Sequence, residues 1–177
     1  VGGVVSMFMF FNNSMAGATS RFLTYELGCG DLNKLKEIFS SALILHIGIA
    51  LLIFFLSETI GVWFLENKLV IPVESLDAAR WVLQFSILAM MINVMQVPFN
   101  ASIISHERID YFAYVEILNS VLRLLIVYLL VIGDFDKLKL YAILTCAVST
   151  VIAIIYRFIC VRNFEECHFK FVWNPLL

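Results

Sequence analysis

The chain has 177 residues, 62% of them apolar and 15% charged, with a formal net charge of −2 and a mean hydropathy of +0.93. A soluble domain carries roughly 45–50% apolar and about 25% charged residues, so this is the composition of a membrane protein. The near-neutral charge without a basic run argues against nucleic-acid binding, and four scattered cysteines with no CxxC pair argue against a disulfide framework or a metal site.

The chain opens Val1-Gly2-Gly3, without a starting Met or a basic leader region, and so reads as a piece of a longer protein rather than a signal peptide. The first expected span covers residues 4–23 and is uncharged up to Arg21. Ser6, Asn13, Gly17 and Ser20 share one helical face, with Asn12 to the side. Gly17 and Ser20 suit close helix contact, while Asn13 suits either contact or a polar interior. The turn Gly28-Cys29-Gly30-Asp31 follows, with glycine for the unusual dihedrals and Asp31 to cap the next helix. The second span, residues 38–56, holds His46, a proton-relay group or a buried neutral imidazole bonded to a neighbouring helix.

The third span, residues 81–104, lies in a stretch from Trp81 to Ser105 that has no formal charge. Ser86, Asn93, Gln96 and Asn100 fall within roughly 80° of one another on a helix turning about 100° per residue. Each unpaired polar group in hydrocarbon costs several kcal/mol, so this stripe faces protein or a wet cavity. Helix-gluing hydrogen bonds are the plainer alternative for any one of these residues. Pro98 within the stripe removes the bond to the Val94 carbonyl and offers a kink or a hinge. The turn from His106 to Asp110 reads as solvated, with His106 in no constellation.

The fourth span, residues 112–132, places Glu116, Asn119, Ser120 and Arg123 at i, i+3, i+4 and i+7, on one face. Arg123 sits near mid-bilayer, where an ionisable residue is costly and marks function by default. It is either a cavity cation for an anionic group such as phosphate, held by bidentate hydrogen bonds, or half of a structural ion pair with Glu116 or another carboxylate. The fifth span, residues 140–161, carries Tyr141, Thr145, Ser149 and Tyr156 in one arc. The loops are short, so neighbouring helices run antiparallel. Arg21, Lys34, Lys36, Arg108, Arg157, Arg162 and Lys170 outnumber Lys68, Arg80, Lys137 and Lys139 across the alternate segments, which puts the first set in the cytoplasm. No nucleophile–base pair, HExxH or Gly-rich phosphate loop appears, so no enzyme is expected.

Two stretches carry a family resemblance. The run from Arg21 to Asp31, continued by Leu35 to Ala42, resembles the loop after the second helix of polysaccharide flippases. The run from Pro98 to Glu116 is similar to the same proteins. These flippases share a superfamily, the multidrug/oligosaccharidyl-lipid/polysaccharide exporters, with the multidrug and toxin extrusion antiporters. The resemblance implies an all-α polytopic bundle in which this chain forms helices two to six of one six-helix lobe of a two-lobed transporter. It also implies alternating-access flipping of a polyprenyl-pyrophosphate-linked oligosaccharide across a bacterial inner membrane, for O-antigen or capsule. The family has no fixed site motif to carry over residue by residue.

The expected partners are therefore lipid-linked oligosaccharide, membrane lipid and a coupling ion, H+ or Na+, with no cofactor, metal or nucleic acid. Arg123 is the expected contact for phosphate or acidic sugar, and Asn13, Asn93, Gln96, Asn100 and Asn119 the expected partners of sugar hydroxyls. A multidrug/cation antiporter of the same architecture would need an acidic cavity, and an intramembrane glycan-processing enzyme would need a catalytic constellation. A purely structural bundle would use the polar faces as glue.

Overall fold

A computed structural model describes residues 2–61, 63, 73–132 and 137–167, with side chains over 14–61, 63, 78–131 and 137–167. Five long helices follow one another: α1 (Gly2–Cys29), α2 (Leu32–Leu56), α3 (Val73–Ser105), α4 (Ile109–Ile132) and α5 (Lys137–Asn163). A π turn (Ser57–Gly61) extends α2, and a 3-10 turn (Glu165–Cys167) follows α5. No strand occurs among the described residues. Each expected span lies within one helix, and each helix begins ahead of its span. The largest difference is in α3, whose opening segment Val73–Arg80 had been expected in a loop. Glu74, Asp77 and Arg80 interrupt an apolar window, yet Glu and Arg are good helix formers and acidic side chains suit the start of a helix.

Four segments among the described residues are long and apolar enough to cross a membrane: Leu32–Gly61, Ala78–Ser105, Ile109–Val131 and Lys137–Asn163. Their surfaces display Leu52, Phe55, Leu124, Tyr128, Val131 and Ile154, all exposed. In water such contiguous apolar surface would drive association. In a bilayer it needs no protein cover.

α3 is the central helix, packing on α5, α2 and α1, while α4 stands to the outside against α5. The core gathers Leu23, Phe39, Ala101, Ile103, Val115, Ile152 and Tyr156. These come from the second halves of α1, α3 and α5 and the first halves of α2 and α4, so the tightest packing sits toward one end of the bundle. Arg21, Lys34, Lys36, Arg108 and Arg162, from the Lys- and Arg-richer set of segments, lie at this end. α3 runs unbroken through Pro98, which is buried.

The turns at this end have identifiable causes. Gly30 adopts a left-handed φ of +75°, and its N–H donates to the Glu26 carbonyl at 3.1 Å. Asp31 caps α2 as expected, its Oδ1 accepting from the Asn33 and Lys34 amides at 3.1 and 3.2 Å. Alanine at Asp31 should cost about 1 kcal/mol, read as a lower unfolding midpoint in detergent. α3 ends in a Schellman motif, with Arg108 N–H to the Ile103 carbonyl at 3.1 Å and Glu107 N–H to the Ile104 carbonyl at 3.0 Å. Glu107 takes the left-handed position at φ 56°, where glycine is usual. Arg108 then lies over the Tyr111 ring and pairs with Asp110, whose hydrogen bonds raise the guanidinium above its ordinary pKa.

Candidate functional site

The α4 face forms a connected polar chain. Arg123 Nε donates to Asn119 Oδ1 at 3.2 Å, and Asn119 Nδ2 donates to Glu116 Oε2 at 3.4 Å. From α5, the buried Tyr156 donates its hydroxyl to Glu116 Oε1 at 3.1 Å. Ser120 turns back to the Glu116 carbonyl at 2.9 Å. The direct Arg123–Glu116 ion pair held open as an alternative does not form: Asn119 stands between the two. Among the described residues no carboxylate lies within ion-pairing range of Arg123, and its terminal guanidinium nitrogens donate to nothing.

Arg123 is exposed, 14 residues after Ile109 and nine before Ile132. At about 1.5 Å per residue it is roughly 21 Å from one helix end and 14 Å from the other. Among the described residues the network thus presents a fork with no counter-charge at mid-depth, while Tyr156 and Asn119 hydrogen-bond the Glu116 carboxylate.

The α3 stripe divides. Ser86 and Asn93 are exposed, Asn100 is half-buried, and Gln96 is only 8% exposed. Gln96 lines a cavity of about 450 Å³ between α2, α3 and α5, with Phe39, Leu43, Phe99, Ala153 and Arg157 among its walls. A second cavity of about 400 Å³, next to Trp81 and Phe85, is more apolar. Gln96 Oε1 and Asn100 Oδ1 are shut from solvent and accept no hydrogen bond among the described residues. A buried orphan acceptor costs about 1–3 kcal/mol. Neither acceptor is used in an interhelical hydrogen bond among the described residues.

Asn13, with Ser6 and Asn12, lies outside the described side chains. Of the six expected site residues, Arg123 and Asn119 are brought together. Gln96 and Asn100 are neighbouring turns of α3 with unmet acceptors, and Asn93 faces outward from the described bundle. Gly17 makes no close helix contact: a methyl added there would meet nothing within 4 Å among the described residues. His46 is buried, but Nδ1 bonds to the Ala42 carbonyl of its own helix at 2.7 Å, not to a neighbouring helix.

Two features escaped the sequence. Arg157 counts there as a cytoplasmic charge, yet it edges the Gln96 cavity, exposed and with no carboxylate in ion-pairing range among the described residues. His106 does belong to a constellation: Nε2 meets Glu166 Oε1 at 2.6 Å, and Ser102 Oγ donates to the same oxygen at 2.9 Å. Phe164 stacks on the imidazole with centroids 4.1 Å apart. Glu166 is 2% exposed, so this is a buried clamp between the end of α3 and the turn after α5.

A family model described as MatE matches residues 1–129, a stretch that contains all six expected site residues and ends within α4. No match is found among curated proteins or among solved structures.

Proposed function

Because the chain belongs to the MatE family, and so to the multidrug/oligosaccharidyl-lipid/polysaccharide superfamily of membrane transporters, we propose that it flips a polyprenyl-pyrophosphate-linked oligosaccharide across a bacterial inner membrane. The observation that carries this reading is the free guanidinium of Arg123 at mid-depth. A cationic drug requires an available carboxylate there, whereas Glu116 is held by Tyr156 and Asn119. An open fork suits a pyrophosphate or an acidic sugar, through two charge-assisted hydrogen bonds. Asn93, Gln96, Asn100 and Asn119, with Asn13, then offer hydrogen bonds to sugar hydroxyls, and H+ or Na+ couples the cycle. The chain would act as the larger part of one six-helix lobe, alternately opening the cavity to each side.

The deciding assay is complementation, by the intact transporter that contains this chain, of a strain lacking its own oligosaccharide flippase, run beside a drug-resistance assay on the same cells. Surface glycan should return. Drug resistance without glycan would replace this cargo with a cationic one.

Cavity wetting is measured separately. With exposed Cys29 changed to serine, cysteines placed at Asn93, Gln96 and Asn100 should each react with a membrane-impermeant maleimide. Protection at all three would make the stripe interhelical glue.

A further inference from the structure

The cavity between α2, α3 and α5, of which the cargo reading uses Gln96 alone, has a polarity gradient. We propose that it is a lipid site, taking one hydrocarbon chain of a phosphate-headed membrane lipid with the phosphate at Arg157. α3 and α5 run in the same direction here, since the Cys160 thiol meets the Phe99 carbonyl at 3.4 Å and Glu166, further along, meets Ser102 at 2.9 Å. Arg157 therefore sits near the level of Gln96, six residues before the end of α5 at Asn163. That is roughly 9 Å along the helix, a depth from which a guanidinium reaches the headgroup layer.

From there the walls run toward mid-bilayer through Leu43, Ile47, Ile92 and Ile154, all apolar. Thr150, seven residues deeper than Arg157, closes no polar contact across the cavity, because its hydroxyl donates to the Cys146 carbonyl of its own helix. The cavity is thus charged at its interface end and apolar toward the bilayer centre, the orientation of a lipid in one leaflet. A volume of about 450 Å³ lies within the range of roughly 300–1,000 Å³ that holds a small ligand. Gln96 is more than nine-tenths buried, and its Oε1 awaits a donor. A hydroxyl in the lipid headgroup, next to the phosphate, meets that need.

Phosphate-headed lipid has two sources, bulk phospholipid and polyprenyl-linked cargo. The test separates them by native mass spectrometry of the purified full chain, stripped of lipid and supplied with one lipid at a time. Phosphatidylglycerol, a polyprenyl phosphate, neutral diacylglycerol and inorganic phosphate are the four arms. The wild type should hold a single phosphate-headed lipid, and whichever of the first two it prefers names the source. Inorganic phosphate alone should not be retained.

Arg157→Gln should weaken phosphate-headed lipid about tenfold while leaving diacylglycerol unchanged, and Ala153→Leu, which fills the wall, should weaken both lipid types. Arg157 is exposed, so its variant folds even where the filled cavity does not. Equal retention of phosphate-headed lipid by wild type and Arg157→Gln overturns the proposal, as does equal retention of neutral and phosphate-headed lipid by the wild type.

Discussion

Replacing Arg123 with alanine is expected to abolish glycan export while leaving the abundance of the protein unchanged. The two effects separate because they rest on different contacts. Within the fold, Arg123 makes one hydrogen bond, to Asn119 at 3.2 Å, from an exposed position. Losing it costs about 1 kcal/mol, too little to empty the membrane of protein. Toward a pyrophosphate the same guanidinium offers two charge-assisted bonds, each worth about 1.5 kcal/mol or more. Their loss lowers binding by about a hundredfold or more.

Lysine at Arg123 keeps the charge but not the planar fork, so it should restore only part of the export. Asn119→Ala should fall between wild type and Arg123→Ala, because it releases Nε of the guanidinium from its hydrogen bond without removing the charge. Export by Arg123→Ala equal to that of wild type, at matched abundance on an immunoblot, would remove Arg123 from the cargo path.

What could be read from the chain followed from local periodicity. Windows of about 20 apolar residues located all five helices, and the spacing from Glu116 to Arg123 put the polar chain of α4 on one face before any coordinates. Helix ends were less legible, since an apolar window stops at the first charges while a helical backbone does not. Val73–Arg80 shows this most clearly.

The rest depends on distances in sequence that no window spans. Glu166 meets His106 and Ser102 from 60 and 64 residues away, and from beyond the last span. Arg157 reads as an ordinary interfacial charge until α2 and α3 are placed beside it to form a cavity. Tyr156 showed only as one hydroxyl in an arc, and its partner on α4 emerged from helix packing.

Alanine at His106 is expected to destabilise the protein by about 1–3 kcal/mol, the cost of taking a hydrogen-bond partner from a buried polar group. Glu166 is 2% exposed, and one of its oxygens takes both the imidazole at 2.6 Å and the Ser102 hydroxyl at 2.9 Å. Without the imidazole, a buried carboxylate keeps one neutral donor, and Phe164 loses the ring it stacks on. Glu166→Gln added to His106→Ala replaces the acceptor that lost its partner, so the double variant should recover part of the loss. That non-additivity separates a hydrogen-bonded clamp from mere packing.

The clamp also fixes where the turn after α5 sits, and Cys167 on that turn reports it, being buried 3.6 Å from Ser102 Oγ. In His106→Ala, maleimide should label Cys167 faster relative to Cys29, which is exposed in the wild type. An unfolding midpoint and a Cys167 to Cys29 labelling ratio both equal to wild type would mean that the turn is held by its apolar contacts alone. In that case Glu166 would be a tolerated burden on the fold, not the group that joins α5 to α3.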